Sequence, residues 1–452
     1  MLKLTNSIGL IFRRFLPSPF SIAIILTFST FILALLFTES SLNTILKDWE
    51  KGLWNPKLMT FTTQMILMLV LGYVLGLTNF VNQIISKITK YCSSNSRSAA
   101  LVSFFSIFVS LINWGLGLIF GAILARKVAE HASEKQIKIN YPLIGAAGYS
   151  GLMVWHGGLS GSAPLKIAEQ NHLSDIIYDK TLISEIPKNL DLSYTIFSPM
   201  NIIVCSILII LIPGVFYLVG KKIKTKEINL TAKIKKKKFR SKMLVGAEKI
   251  DLNKSFGQFI GLFIIVIAIN KGIRANSLSF IDPNFINLTL FGLALLLHGK
   301  IISFLEAVKE GIKNAAGILI QFPLYFGIMA VLASSGLIEM VSDLFVQISN
   351  EKTFPIYTML SAGIVNIFVP SGGGQWAIQG PMIIQASTEI GIPIQKSIMA
   401  LVYGDQLTNM MQPFWALPLL YITELKAQDI LPYTLLIMLI GFFIFLMSLI
   451  LI

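Results

Sequence analysis

Charge is what this sequence is short of. Of its 452 residues only 13% are Asp, Glu, Lys or Arg, against 54% hydrophobic, which is too little polar surface to clothe a water-soluble globule. Cysteine is nearly missing as well. Cys92 in a polar stretch and Cys205 inside an apolar run exclude a disulfide framework and a thiolate metal cluster. No Gly-Lys-Ser/Thr follows the glycines at 372 to 374, so they form a tight turn rather than a phosphate loop. No small-residue cleavage site follows Phe37, and the apolar stretch after Lys3, Arg13 and Arg14 is read as a retained first span.

What the chain has is long apolar runs. Crossing the hydrocarbon core as a helix takes about 20 apolar residues, and 20–38, 58–78, 196–219 and 431–451 supply that most cleanly. Further candidates are 141–165, 255–272, 286–298 and 316–335. Backbone groups in lipid must bond within their own segment, so the reading is an all-α polytopic membrane protein.

The net charge of +14 is concentrated in one place: Lys221 to Lys254 holds 13 Lys or Arg against Glu227, Glu248 and Asp251. Between two spans, such a run marks a cytoplasmic loop that can also touch anionic lipid. Nucleic acid is not the expected partner. With this loop inside, the N-terminus also falls in the cytoplasm, provided the segment 99–125 does not cross.

That segment is interrupted at Asn113-Trp114-Gly115 and flanked by Lys87, Lys90 and Arg97 before and Arg126 and Lys127 after. Apolar arms of about thirteen residues extend about 20 Å each, enough to pass the midplane and return. The expectation is a re-entrant helical hairpin with Asn113 at its tip. Residues 354–369 and 376–390 repeat the pattern around Pro370-Ser371-Gly372-Gly373-Gly374-Gln375, with flanks that suit entry from the other face. Each hairpin precedes a span broken in mid-membrane, at Gly157 to Pro164 and at Gly404 to Pro413. From Asn113 to Pro164 is 51 residues and from Asn366 to Pro413 is 47. The chain therefore divides into a first inverted repeat at 1–219 (hairpin about 99–125, broken span about 141–165), the basic loop at 220–254, and a second repeat at 255–452 (hairpin about 354–390, broken span about 397–421). Inverted repeats with unwound helices at the midplane are the layout of ion-coupled carriers.

Unwound backbone at membrane depth must be buried or line a cavity. Helix N-termini exposed there offer amide donors and partial positive charge to a carboxylate, and carbonyls and hydroxyls at the other ends suit Na⁺. Ser160, Ser162, Ser371, Thr408 and Asn409 are the side-chain donors and acceptors at these places. With no Lys or Arg noticed near either break, a monoanion is the expected guest. Asp405 is the one acid placed inside a broken span, to bind the coupling cation or carry a proton; its bland role is to cap the next half-helix through Leu407 or Thr408. His156 reads as a neutral, hydrogen-bonded packing group before it reads as a titrating one, and His298 as interfacial. Trp114, Trp376 and Trp415 lie near the breaks, with packing at least as good a role as contact with an aliphatic tail.

At the level of motifs the chain resembles, end to end, the short-chain fatty acid (acetoacetate and butyrate) transporter family, the AtoE type, within the ion transporter superfamily. The motifs are Arg14-Phe15-Leu16-Pro17-Ser18-Pro19, Ile112 to Leu118, Leu159-Ser160-Gly161-Ser162-Ala163-Pro164-Leu165, Gln321-Phe322-Pro323, Val369 to Trp376, Gln379-Gly380-Pro381, Tyr403-Gly404-Asp405-Gln406 and Gln412 to Pro418. The resemblance implies a bacterial cytoplasmic-membrane symporter for short monocarboxylates, with no cofactor beyond a coupling Na⁺ or H⁺, in a homodimer whose transport domains move like elevators. It implies a substrate site at Asn113, Trp114 and Gly115, at Ser160, Gly161 and Ser162, at Ser371 to Gln375, and at Thr408 and Asn409, with Asp405, Asn113 and Asn409 serving the coupling ion. The chain departs from the family pattern in carrying Asp405 where members have Glu and His156 where they have a small residue. Another small organic anion is the nearest alternative cargo. The remote one is a rhomboid-like serine protease, on Gly158-Leu159-Ser160-Gly161 with His298 as base.

Overall fold

The computed structural model describes residues 17–169, 171–176, 186–228, 230, 246–275, 280–313 and 315–452. Lys3, Arg13, Arg14 and the centre of the basic loop lie outside them. Among the described residues, nineteen α-helices of six or more residues carry the fold. The first set is α1 (Pro19–Phe37), α2 (Leu42–Leu53), α3 (Pro56–Gly76), α4 (Asn79–Thr89), α5 (Asn95–Ile112), α6 (Trp114–Glu134), α7 (Tyr141–Tyr149), α8 (Ser162–Ile167) and α9 (Pro199–Lys222). Helix α10 (Lys254–Arg274) follows the basic loop. The second set is α11 (Pro283–His298), α12 (Ile301–Lys313), α13 (Ala316–Ser334), α14 (Leu337–Gln347), α15 (Phe354–Phe368), α16 (Gly372–Ile390), α17 (Ile394–Thr408), α18 (Pro413–Thr423) and α19 (Ala427–Leu451).

Six of these, α1, α3, α5, α9, α10 and α19, are long and apolar enough to cross a membrane, and four shorter apolar helices join them. The starts are written locally. Ser18 accepts the Ser21 N–H at 3.2 Å before α1, Asn140 accepts the Leu143 N–H at 3.0 Å before α7, and proline occupies the first turn after both. Four amphipathic helices of 11 to 13 residues, α2, α4, α12 and α14, were not anticipated from the sequence. At about three turns each they are too short to span, so a reading that looks for long apolar runs passes over them.

The two sets pack with exchange symmetry. Helix α13 lies on α1 and α2 as α3 lies on α11 and α12; α14 touches α1 as α4 touches α11. Helix α10, between the sets in the chain, packs on α11. Small residues set the closeness of one such contact: a Cβ on Gly52 of α2 would come within 2.7 Å of the Phe326 carbonyl oxygen of α13, and one on Gly327 within 2.6 Å of the Trp49 ring. Replacing Gly327 by Leu therefore overpacks the seam and costs about 1–3 kcal/mol, visible as a lower melting temperature of the detergent-solubilised protein. An unchanged melt would contradict this packing.

Hairpin geometry is fixed by hydrogen bonds at the bases. Asn95 at the start of α5 donates to the Gly220 carbonyl at 2.8 Å and accepts the Asn140 N–H at 2.8 Å. The hairpin's entry, the start of α7 and the end of α9 thus share one face. At the second hairpin, Phe354 at the start of α15 packs with Ala386 and Ile392 at the end of α16. The opposite end of the following broken span is at the first hairpin's base, because the Tyr141 hydroxyl donates to the Thr423 carbonyl at 2.8 Å. The two hairpins therefore enter from opposite faces. The arms of the first are longer than the thirteen residues read from hydropathy, at 18 and 21, because Asn95 to Ser98 and Arg126 to Glu134 continue the helices past the apolar part.

Candidate functional site

Both breaks are encoded locally, but each begins elsewhere than the glycine pattern suggested. In the first, α7 ends at Tyr149 and the chain runs through 3-10 turns at Ser150–Met153 and Trp155–Gly157 before α8. Gly158 is required by close approach: its Cβ would lie 2.5 Å from the Leu111 carbonyl oxygen, which the Leu159 N–H binds at 2.8 Å. In the second, the helix continues through Gly404 to Thr408 and opens at Asn409–Gln412. Gly404 serves packing instead, since a Cβ there would meet Ala362 of α15 at 2.8 Å. Asn366 of α15 secures the opening, its Nδ2 reaching the Asp405 carbonyl at 2.7 Å, Thr408 Oγ1 at 2.8 Å and Asn409 Oδ1 at 2.9 Å.

The hairpin tips are capped turns. Asn113 ends α5 and begins α6, its Oδ1 accepting the Leu116 N–H at 2.9 Å; the Trp114 N–H donates to Ser160 Oγ at 2.9 Å, joining the tip to the first break. Ser371 caps α16 by accepting the Gly374 N–H at 3.2 Å.

Between these parts lies a cavity of about 650 Å³. Asn113, Trp114, Ser160 and Ser162 line it from the first half, and Ser371, Gly372, Gly373 and Gly374 from the second. The N-termini of α6 and α16 both end on it, so their first amides bring partial positive charge to its wall. The remaining expected residues stand behind that wall. Gly115 packs against Met68 and Gly161 against the His156 carbonyl. Gln375 is buried, donating to the Ala362 carbonyl at 2.8 Å and Gln379 Oε1 at 2.7 Å. Thr408 and Asn409 are held by Asn366.

Asp405 does not act as the cap considered for it, because it sits inside α17 rather than at a helix start. Its carboxylate, 1% exposed, faces His156 Nδ1, and His156 is 0% exposed. The other ring nitrogen, Nε2, accepts the Ala163 N–H at 3.1 Å, which places the ring hydrogen on Nδ1, toward Asp405. The second hairpin tip closes over this pair: a Cβ on Gly372 would come within 2.8 Å of the His156 ring and 3.0 Å of Asp405 Oδ2.

Trp114, Trp376 and Trp415 all line the cavity, as does Trp155, which the sequence reading missed although it adjoins His156 and stacks on it at 4.4 Å. His172, also unanticipated, accepts from Trp376 Nε1 at 3.0 Å. A cation is present after all. Lys166, two residues beyond Pro164, borders the cavity with its Nζ 3.0 Å from both Glu169 oxygens, so the two add no net charge. The protease constellation is not assembled: Ser160 accepts from Trp114, and His298 Nε2 contacts the Val74 carbonyl at 2.9 Å. Ser160→Ala leaves the Trp114 amide without its acceptor and destabilises the protein by about 1–3 kcal/mol. The measurement is a thermal melt beside a serine-directed activity probe, and the wild type takes no label.

A family model described as "Short chain fatty acid transporter" matches residues 1–452. A protein of Escherichia coli K12 named "Putative short-chain fatty acid transporter" is 33% identical over 93% of this chain and 92% of its own. One of the same name from Haemophilus influenzae Rd is 32% identical over 93% of each. Among solved structures, the YdaH transporter of Alcanivorax borkumensis aligns over 96% of this chain and 97% of its own at 13% identity and a TM-score of 0.48. Neisseria gonorrhoeae MtrF covers 95% of each chain at 12% identity and 0.45. Family and relatives are transporters rather than enzymes, and this multi-pass membrane protein belongs to the short-chain fatty acid transporter family.

Proposed function

We propose that the chain is an ion-coupled symporter of short-chain fatty acids such as acetoacetate or butyrate in the bacterial cytoplasmic membrane, with its N-terminus in the cytoplasm. The observation that carries this is the cavity itself. Two hairpin tips and the first break close on one space walled by tryptophans, with helix N-termini for a carboxylate and an internally neutral Lys166–Glu169 pair. The guest it suits has one negative charge and a short apolar tail. The bacterial relatives named for short-chain fatty acids support the same cargo class.

The coupling ion, Na⁺ or H⁺, is assigned to Asp405, the buried carboxylate under the second hairpin tip, together with Asn113 at the first hairpin tip and Asn409 at the second break. Residues 1–219 and 255–452 serve as the inverted halves, joined through the basic loop 220–254, in a homodimer whose transport domains slide against α3 and α13. The test is counterflow in proteoliposomes. Preloaded butyrate accelerates entry of labelled butyrate if the chain is a carrier; equal rates with and without preload contradict it. Uptake driven by a Na⁺ gradient alone and by a pH gradient alone identifies the coupling ion.

A further inference from the structure

The unwound backbone of each break is held from the other half of the chain. In the second break the Tyr149 hydroxyl is shared between the Asn409 carbonyl at 2.8 Å and the Gln412 carbonyl at 3.1 Å. Tyr149 is the last residue of α7, just ahead of the first break, and it is buried. The first break is held by a relay. Asn201 of α9 donates its Nδ2 to the Gly157 and Ile196 carbonyls, both at 2.8 Å, which turns its Oδ1 to accept the hydroxyl of Tyr403 at 3.3 Å. Tyr403 lies on α17 and is also buried. Each broken span thus carries a tyrosine that secures the other's opening.

The same turn of α17 grips the first break twice more. Gln406 Oε1 accepts the Gly157 N–H at 3.3 Å, and Asp405 faces His156. From Gly157 the chain runs within five residues to Ser160 and Ser162 on the cavity wall. A change around Asp405 therefore reaches the substrate cavity through Tyr403, Asp405 and Gln406, and the second break is tied back to α7 through Tyr149. A buried hydroxyl that leaves its carbonyls strands them away from water, so a displacement of one break carries the other with it.

We propose that Tyr149 and Tyr403 are positioning residues that transmit ion binding at Asp405 to the first break, so that the coupling ion and the monocarboxylate bind cooperatively. The inference rests on the coupled-transport reading and names the residues that do the coupling. Neither tyrosine is among the residues lining the cavity, so both act on the guest through the backbone they hold.

The test reads butyrate affinity of the purified full chain from its tryptophan emission. Titrations in Na⁺ and in choline at one pH, and in choline across pH values at which butyrate stays ionised, find the ion that tightens binding. In the parent protein that ion lowers the butyrate Kd about tenfold, within the ordinary range of coupling between two sites. Tyr149→Phe and Tyr403→Phe keep the rings, including the stacking of Tyr403 on Phe445 at 4.7 Å, and remove only the hydroxyls. Each variant shrinks the ion's effect to about twofold or less. A merely structural role weakens binding by the same factor with and without the ion and leaves the ratio at its parent value. That ratio, retained in both variants, overturns the proposal, as does failure of both to give folded protein. A parent protein whose butyrate affinity responds to neither ion contradicts the coupled-transport reading instead, so the two failures are told apart.

Discussion

Asp405→Asn abolishes concentrative butyrate uptake, by about 100-fold or more, because it removes the intramembrane charge assigned to the driving ion. Expression and folding survive the change. The amide matches the carboxylate in shape, and the His156 hydrogen that faces Asp405 still finds an acceptor in the Asn carbonyl oxygen. The loss is therefore one of coupling, and counterflow, which needs no net driving force, falls less than accumulation. Unchanged accumulation would reduce the His156–Asp405 pair to a packing element.

The second large effect is steric. Gly372→Val puts branched carbon where even a single Cβ would come within 2.8 Å of His156 and of Trp155 and 3.0 Å of Asp405, so the second hairpin tip cannot seat on the first break. Uptake falls by about 10- to 100-fold, equivalent to the roughly 1–3 kcal/mol that overpacking costs. Gly373→Ala is the milder change, since its Cβ would meet Ser162 at 3.8 Å. Equal uptake defects in the two variants would contradict the placement of this tip.

The parts of the fold that were legible in the sequence are those fixed by local chemistry. Asn113 and Ser371 sit where a chain leaving one helix must restart another, and a short polar side chain that caps the restart is visible without any tertiary information. Glycine was ambiguous. Gly158 marks a real break and Gly404 a helix crossing, because an absent side chain serves unwinding and close approach equally. Contacts across the fold were beyond sequence reach. Asp405 and His156 were each singled out, yet nothing in their spacing pairs them. Arg126 passed for a solvated flank because Glu424 lies nearly 300 residues away, and only the folded chain brings it back. Lys166 was overlooked for its position in the run after Pro164, and Glu169 one turn on neutralises it.

Four of the six tryptophans, at 114, 155, 376 and 415, line the cavity, which makes the protein's own fluorescence a probe of its occupancy. Titrating butyrate onto the purified protein produces a saturable change in that emission, absent with uncharged butyramide and lost in Gly372→Val. A signal that stays flat while the same preparation performs butyrate counterflow would mean that the acid travels by another route than the space between the two hairpin tips.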